Sequence, residues 1–284
     1  MNDAYYFRTS DPDQIRHAPS HLERVSKAFP AVVTQQESEH ERQRLIHLLD
    51  TLNGRVPGCD VIAQKLRECR NDLPCRSPVC PHCRRERILA HLAMWPVLPG
   101  NTADYTGVVL YFNKDKHTSP PWRSTGALRA QISRYKQRIS RVLNRLGYAG
   151  PATGTFSMMR HMPDGSEERI FWVPQLCLFL PNDSTLIKGL KTHMSRSGGA
   201  LIDASVVNTP MIVLRYKDPA RLLSCALDPA WHTTDYTLTD KDALVKSRVA
   251  PLKGRTLLKS LLALDSLGTN IVSFSFGQPP GKEH

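Results

Sequence analysis

The first third of the chain carries its hydrophobic residues at helical spacing, every three or four positions. Three helices are predicted there, over residues 36–53, 60–67 and 84–94. A cysteine-rich segment, residues 69–83, lies between the second and third helices, whereas residues 1–30 show no regular period and are expected to be irregular. Because Pro and Gly residues between positions 96 and 100 interrupt the pattern, a helical N-terminal region is predicted over residues 1–100.

Strand and helix patterns alternate in residues 101–230. Strands are predicted over residues 105–112, 153–162, 169–180 and 211–216, and helices over residues 125–147, 184–197 and 219–227. The turn at Pro163-Asp164-Gly165 joins the second and third strands as a hairpin. This β-α-β-β-α-β order is the split βαβ, or ferredoxin-like, arrangement. We therefore expect an α+β protein, with a ferredoxin-like domain over residues 101–230 and a C-terminal helical appendage over residues 231–284.

Five of the seven cysteines fall within residues 59–83, which is an odd set for disulfides and more typical of metal binding in a reducing compartment. In Cys80-Pro81-His82-Cys83, two thiolates are spaced to bind one tetrahedral ion at about 2.3 Å. With Cys69 and Cys75 they make a closed four-cysteine set, so we predict structural Zn²⁺. Cys59 or His82 could replace one ligand. An iron–sulfur centre and buried cysteines without metal are the alternatives.

The charge of the chain is unevenly distributed. Its formal net charge is +12, and residues 101–284 hold 24 Lys and Arg against 14 Asp and Glu. Such a basic surface favours a polyanion such as nucleic acid, because binding releases condensed counterions. The alternative is a basic protein with no such partner. The sequence shows neither a signal-peptide pattern nor an apolar run near the ~20 residues that cross a bilayer, so we expect a cytoplasmic protein without membrane contact.

The helix predicted over residues 125–147 has a hydrophobic stripe for the core and, beside it, a stripe of four arginines spaced four, three and four apart. These arginines are Arg134, Arg138, Arg141 and Arg145. No acidic residue occurs from Arg123 to Arg145, so the four cations repel one another unless an anion lies against them. DNA phosphate is the natural candidate, and a solvated basic face is the alternative.

The segment CRSPVCPHCRRER and the β-α-β-β-α-β order together resemble the HUH rolling-circle replication initiators, or Rep proteins, of plasmids and phages. The resemblance covers roughly residues 69–231. It implies a cysteine-rich segment ahead of a ferredoxin-like nicking domain. It also implies two histidines at i and i+2 on one strand, which hold a divalent metal on the scissile phosphate, and a nucleophilic Tyr on a following helix.

This chain departs from the family at those catalytic positions. Gln175 and Cys177 stand where the two histidines are expected, and Cys225 stands where the Tyr is expected. A neutral amide oxygen and a soft thiolate are poor ligands for Mg²⁺ or Mn²⁺. The residues around these positions match the family pattern. The resemblance therefore implies a site that has lost its catalytic residues while the surrounding sequence is retained. Three nearby residues are candidates to replace the lost groups, namely His161, Tyr216 and Tyr236.

The sequence therefore predicts a Rep-like, DNA-binding pseudo-enzyme that regulates transcription, replication or transfer on a mobile element such as a plasmid. Its partner is DNA, and the sequence leaves a homo-oligomer open. One alternative is an active single-strand endonuclease with atypical catalytic residues. A second is a zinc-stabilised protein-interaction module that does not touch DNA.

Overall fold

The structure is a computed structural model, and it describes most of the chain. The described residues are 19–29, 32–94, 104–163, 170–197, 201–203, 206–207, 209–216, 218–238 and 244–277. The N-terminal part holds helices α1 (Pro19–Ala28), α2 (Gln35–Thr51), α3 (Cys59–Glu68) and α4 (Pro81–Met94). Thr34 and Glu37 close the start of α2 with a reciprocal capping box. Helix α1 corrects the expectation of an irregular segment over its residues, because the 1–30 stretch gave no clear helical period.

Residues 105–226 alternate between strands and helices. The elements are β1 (Tyr105–Tyr111), α5 (Thr125–Arg145), β2 (Ala152–Met162), β3 (Phe171–Pro181), α6 (Ser184–Ser197), β4 (Leu201–Asp203), β5 (Val206–Val207), β6 (Met211–Leu214) and α7 (Pro219–Ala226). The predicted strands and helices of this region are present, with ends that differ by a few residues. The hairpin turn predicted at Pro163-Asp164-Gly165 lies partly outside the described residues. The coarse prediction, an α+β chain with a helical N-terminal part, is confirmed.

Two further strands, β7 (His232–Leu238) and β8 (Leu244–Pro251), join these in one mixed sheet of order β4-β5-β8-β7-β2-β3-β1-β6. Within it, the four strands β2-β3-β1-β6 pair with one another in antiparallel fashion. Strand β7 runs parallel to the end of β2, and β9 (Ser273–Phe276) pairs with the start of the same strand. Strand β2 therefore joins the central four strands to the C-terminal part of the chain.

Both faces of the central strand β3 are covered. Side chains alternate along β3, so that Leu176, Leu178 and Leu180 contribute to the apolar cluster that includes α5 and α6. Cys177 and Phe179 contribute to a second cluster, on the other face, which includes α4 and α7. The predicted hydrophobic stripe of α5 is buried, and its Tyr135 ring stacks on the Phe112 ring with centroids 3.9 Å apart.

The C-terminal residues contain more strand than the predicted helical appendage. Strands β7, β8 (Leu244–Pro251) and β9 belong to the main sheet, and helices α8 (Gly254–Leu267) and α9 (Thr269–Val272) lie between the last two. Helix α8 packs against α3, where Lys65 and Asp265 form an ion pair of 2.9 Å. The division into three domains stays a prediction. None of the described helices is long and apolar enough to cross a bilayer.

Candidate metal centre

The thiols of Cys69, Cys75, Cys80 and Cys83 meet at one point. Their Sγ atoms all lie within 4.8 Å of one another. The Sγ of Cys69 lies 3.6 Å from that of Cys80 and 3.6 Å from that of Cys83, and the Sγ atoms of Cys75 and Cys83 are 3.7 Å apart. A tetrahedral ion with bonds of about 2.3 Å to sulfur has edges of about 3.8 Å, so the spacing matches one such ion.

Two helix ends and a tight turn bring the cysteines together. Cys69 is the residue after the last turn of α3, Cys80 directly precedes α4, and Cys83 lies in the first turn of α4. Between them, Arg76 adopts a left-handed backbone with φ of +54°, which reverses the chain after Cys75. The backbone N–H of Cys75 donates to the Cys69 sulfur at 3.4 Å. The turn therefore supplies both a ligand and a hydrogen bond to a ligand.

Arg42, on α2, fixes the first ligand from outside the turn. Its Nη1 donates to the carbonyl oxygens of Leu66 at 2.7 Å and of Cys69 at 2.8 Å. The Glu39 carboxylate accepts from the other side of the same guanidinium, at 2.7 and 2.9 Å. These contacts join α2 to the end of α3 and place a cation beside the cysteine thiols, where it offsets part of their negative charge.

Helix α8 fixes the turn from the opposite end of the sequence. The Asp265 carboxylate accepts from Ser77 Oγ at 2.5 Å and from Lys65 Nζ at 2.9 Å. At the start of α9, Thr269 Oγ1 donates to the Arg76 carbonyl oxygen at 2.8 Å. The cysteine turn is therefore held by residues almost 200 positions away, in addition to its own short-range hydrogen bonds.

The four thiols perturb one another's acidity. Hydrogen bonds from Cys75, Cys80 and Cys83 lower the pKa of Cys69. The reciprocal bond with Cys69, followed by those with Cys75 and Cys80, raises the pKa of Cys83. The pKa of Cys75 is lowered as well and that of Cys80 is raised, so two thiolates are favoured and the ionisation of the other two thiols meets the negative charge already present. A cation at the centre removes that penalty, because metal binding requires all the ligating thiols to be deprotonated.

This donor set fits a metal ion with a structural role. Four sulfur ligands fill a tetrahedral site and leave no position for a substrate or an activated water. The thiolates of a multi-iron cluster bind different irons, so they spread wider than four sulfurs around one ion. Neither proposed substitute ligand joins the group: Cys59 lies buried at the start of α3, and His82 Nε2 lies 3.5 Å from the Glu86 carboxylate.

The three family-type catalytic positions are brought together on the sheet face beneath α7. Gln175 and Cys177 are two residues apart on β3, and α7, which carries Cys225, packs on β1, β2 and β3. Gln175 Nε2 donates to Ser157 Oγ on β2 at 2.7 Å, and its Oε1 has no partner among the described residues. Burial, and then the nearby Cys225 and Asp228, raise the pKa of Cys177. No described group there supplies a hard-metal ligand set.

Two of the three candidate replacements, His161 and Tyr236, lie apart from these positions. His161 is six residues along β2 from Thr155, the partner of Cys177, which is about 20 Å at the strand repeat. Its ring stacks on Phe171, and its Nδ1 contacts the Tyr236 hydroxyl, whose pKa is raised by burial. These two residues therefore form a buried pair at the far end of β2.

Tyr216 does reach the nucleophile position. The Arg221 guanidinium lies 4.6 Å from the centre of the Tyr216 ring. Burial and then Asp228 raise the pKa of Cys225, while the nearby Tyr216 hydroxyl and Arg221 lower it by less. Cys225 is thus a thiol that stays protonated to higher pH than usual, which makes it a weak nucleophile.

The predicted arginine stripe lies on one flank of α5. Arg134, Arg141 and Arg145 are exposed and form no ion pair with any residue that the structure describes. Arg138 is half-buried, with its guanidinium 5.6 Å from the centre of the Phe112 ring and its Nε 3.3 Å from His193 Nε2 on α6. Three of the four arginines can therefore bind an anion without first breaking a salt bridge.

Comparison with models of protein families, with curated proteins and with solved structures returns no match for this chain. The relationship to Rep proteins stays a prediction. Sequence reasoning missed Arg42 and Asp265, the two charged residues that hold the cysteine turn in place. Nothing in the local sequence marks them, because each contacts the turn only through tertiary packing. An acidic residue on the inward side of a helix, as Asp265 is on α8, is the one sequence pattern that could have indicated such a supporting role.

Proposed function

We propose that this chain is a DNA-binding protein built on a Rep-like frame, without nicking activity, that regulates transcription, replication or transfer on a mobile element. The observation that carries the DNA-binding part is the arginine stripe of α5, Arg134, Arg138, Arg141 and Arg145. The guanidiniums of Arg134, Arg141 and Arg145 are exposed and form no ion pair with the described residues, which suits the spaced charges of a phosphate backbone.

The strand order supports the Rep-like frame. The elements β1, α5, β2, β3, α6 and β6 follow the β-α-β-β-α-β order, and their strands lie side by side as β2-β3-β1-β6. Each neighbouring pair is antiparallel, as a split βαβ unit requires. We therefore propose a ferredoxin-like, HUH-type unit for these residues, with the short strands β4 and β5 as an addition before β6.

The absence of nicking is proposed from the chemistry of three positions. Strand cleavage by the HUH mechanism needs a hard metal on the phosphate and a hydroxyl in line with it. Gln175 and Cys177 are poor ligands for such a metal, and the pKa of Cys225 is raised. Cys225 nevertheless lies on the helix that packs over Gln175 and Cys177, which is the arrangement expected of a degenerate site.

For the cysteine centre we propose Zn²⁺ with a structural role. Zinc is the common ion for four thiolates in tetrahedral geometry, and its closed shell imposes no other geometry. In this proposal Cys69, Cys75, Cys80 and Cys83 hold the ion, which cross-links the end of α3 to the start of α4. Elemental analysis of purified protein should give about one zinc per chain, and iron in its place would reject the assignment.

DNA binding is tested by titrating labelled duplex and single-stranded DNA at several salt concentrations. The wild type should bind with a strong salt dependence. Each of Arg134→Gln and Arg141→Gln should lower the slope of log K against log salt by about 0.9 on a duplex and about 0.7 on a single strand. Lys259→Gln, on α8, is the matched control. Unchanged affinity in the quadruple stripe variant would reject the DNA-binding surface and favour the protein-interaction alternative.

Nicking is tested separately, by incubating the protein with single-stranded origin-like DNA and Mn²⁺. We expect intact DNA and no covalent adduct. An adduct that disappears in Tyr216→Phe, Tyr236→Phe or Cys225→Ser would instead establish the endonuclease alternative and identify the nucleophile.

A further inference from the structure

A polar cleft of about 410 Å³ opens beside the cysteine centre. One wall is the cysteine turn and the start of α4, with Arg76, Arg84 and Arg87. The other wall is the junction of α8 and α9, with Leu267 and Asn270. None of the described residues that line this cleft is acidic. We call it the arginine cleft.

The protein itself fixes two of the three guanidiniums, those of Arg84 and Arg87. Arg84 is held by the carboxylates of Glu41, at 2.8 and 2.9 Å, and of Asp228, at 3.4 Å. Arg87 is buried and donates to Ser273 Oγ at 2.9 Å and to the Leu227 carbonyl oxygen. Cations that are already positioned lose little side-chain freedom when an anion binds to them.

Arg76 is the exposed member of the three. Its side chain extends from the left-handed turn, whose carbonyl oxygen is bound by Thr269, so its backbone is rigid while its guanidinium faces solvent. No ion pair to Arg76 occurs among the residues that the structure describes. Because Arg84 already has two carboxylates, Arg76 is the cation most available to a ligand in the cleft.

More positive charge lies along the same junction. From α5, Arg129 donates to the Ser266 carbonyl oxygen at 3.0 Å, and Lys136 donates to the Asn270 carbonyl oxygen at 2.7 Å. At 3.6 residues per turn, these two residues fall on one flank of the buried stripe of α5, and Arg134 and Arg141 fall on the other. The arginine cleft and the arginine stripe are therefore separate basic surfaces.

We propose that the arginine cleft binds a phosphate ester of nucleotide size. Guanidinium groups pair with phosphate through two parallel hydrogen bonds, which a converging set of arginines exploits. The volume lies within the range of small-molecule sites and greatly exceeds that of a phosphate ion. Leu267 offers an apolar surface for a sugar or a base, and the Asn270 amide offers both a donor and an acceptor. This site goes beyond the DNA-binding stripe and does not depend on it.

The competing explanation is that the arginines only offset the charge of the thiolates. Cys83 also lines the cleft, and four thiolates around one divalent ion leave two negative charges. On that explanation, loss of an arginine weakens metal retention and has no effect on phosphate binding. On ours, loss of Arg76 weakens phosphate binding and leaves the metal in place.

The test is calorimetric titration of the full chain with a nucleoside monophosphate, the same nucleoside without phosphate, and a single-stranded trinucleotide. We expect the phosphate-bearing probes to bind and the nucleoside not to bind. Arg76→Gln should weaken binding about tenfold or more, since a hydrogen bond to a charged group is lost. Binding of the trinucleotide alone would assign the site to a backbone phosphate, whereas binding of the monophosphate would assign it to a free nucleotide.

A second variant covers the case in which Arg76→Gln disturbs the turn. Asn270→Asp places a carboxylate at the mouth of the cleft, in the first turn of α9, where a negative charge is tolerated. It should also weaken binding, while the stripe variant Arg134→Gln/Arg141→Gln should bind the monophosphate as the wild type does. Binding that is absent in the wild type, or unchanged in both cleft variants, overturns the proposal. Loss of metal from Arg76→Gln with unchanged binding supports the charge-offset explanation instead.

Discussion

Two groups of cysteines in this chain lie in contrasting environments, one at the candidate metal centre and the other on the sheet face under α7. In the metal centre, four thiols converge at the spacing of a single tetrahedral ion, and residues from α2 and α8 fix the turn that carries them. Under α7, Cys177 and Cys225 also lie near each other, but burial raises the pKa of both thiols, and Gln175, two residues from Cys177 on β3, donates to Ser157. Convergence alone therefore does not make a site, and the donor chemistry together with the supporting contacts decides the difference.

The difference is also electrostatic. Around the metal centre, the Arg42 guanidinium lies beside the ligands, and its pKa is raised, first by Glu39 and also by the charges of Cys69 and Cys80. Around Cys177 and Cys225, burial and Asp228 raise the pKa of the thiols. The candidate metal centre thus contains two thiols of lowered pKa, Cys69 and Cys75, beside two of raised pKa, whereas both thiols of the sheet face have a raised pKa. Removing groups from each environment tests this contrast.

The largest effect is expected from loss of a metal ligand. Cys83→Ser should release the ion and unfold the N-terminal helices, because a structural site of this kind contributes on the order of 10 kcal/mol. Cys59→Ala, which changes a buried cysteine outside the centre, should cost about 1 kcal/mol and keep the metal. Metal content and circular dichroism measure the two outcomes. A folded, metal-free Cys83→Ser protein would reduce the centre to a group of packed thiols.

A smaller effect is expected from removing a residue that holds the cysteine turn in place. Asp265→Ala removes the acceptor of Ser77 Oγ and Lys65 Nζ, and leaving such groups unpaired costs about 1–3 kcal/mol. It should also speed the transfer of metal to a chelator. Asp50→Ala, which breaks the exposed pair with Arg67, is the control and should cost at most about 1 kcal/mol. Equal effects of the two changes on chelator kinetics would show that α8 does not hold the turn.

The sequence predicted those features that depend on residues close together in the chain, and it missed the contacts between distant segments. The Cys80-Pro81-His82-Cys83 spacing is set within one helix turn, so it could be read directly from the chain. The same is true of the stripe on α5, which depends only on helical periodicity. Strands β7, β8 and β9 were missed because each is defined by pairing with another strand, β7 with β2 and β8, and β9 with β2, and such pairing leaves little trace in a short segment.

A substitution at the sheet face under α7 should change the free energy of unfolding much less than one at the candidate metal centre. Gln175→Leu removes one buried hydrogen bond, to Ser157, but it also removes an amide oxygen that has no partner among the described residues. These effects oppose each other, so the free energy of unfolding should change by less than about 1 kcal/mol. The adjacent Leu176→Ala is the control and should cost about 2–5 kcal/mol, as for any large core truncation. A larger loss of stability in Gln175→Leu would indicate that the Gln175 amide makes a specific interaction in this site.

The smallest effect is a change in the acidity of Cys225, which two variants should move in opposite directions. Asp228 raises the pKa of Cys225, and Arg221 lowers it. Asp228→Asn should therefore lower the pKa and increase the thiolate fraction at a given pH, and Arg221→Gln should do the reverse. Because only the thiolate reacts with iodoacetamide, the pH midpoint of alkylation should shift down in the first variant and up in the second.

The alkylation is measured on the Cys225 peptide by mass spectrometry, with the buried Cys177 as an internal reference that should stay unmodified. Asn keeps the Oδ1 that accepts from Ala230 N at 3.1 Å, so the turn after α7 should persist in Asp228→Asn. If both variants move the midpoint the same way, a change in exposure rather than charge controls the thiol. If the wild-type midpoint already lies below that of a free cysteine, Cys225 is an activated nucleophile, and the contrast between the two groups fails at this residue.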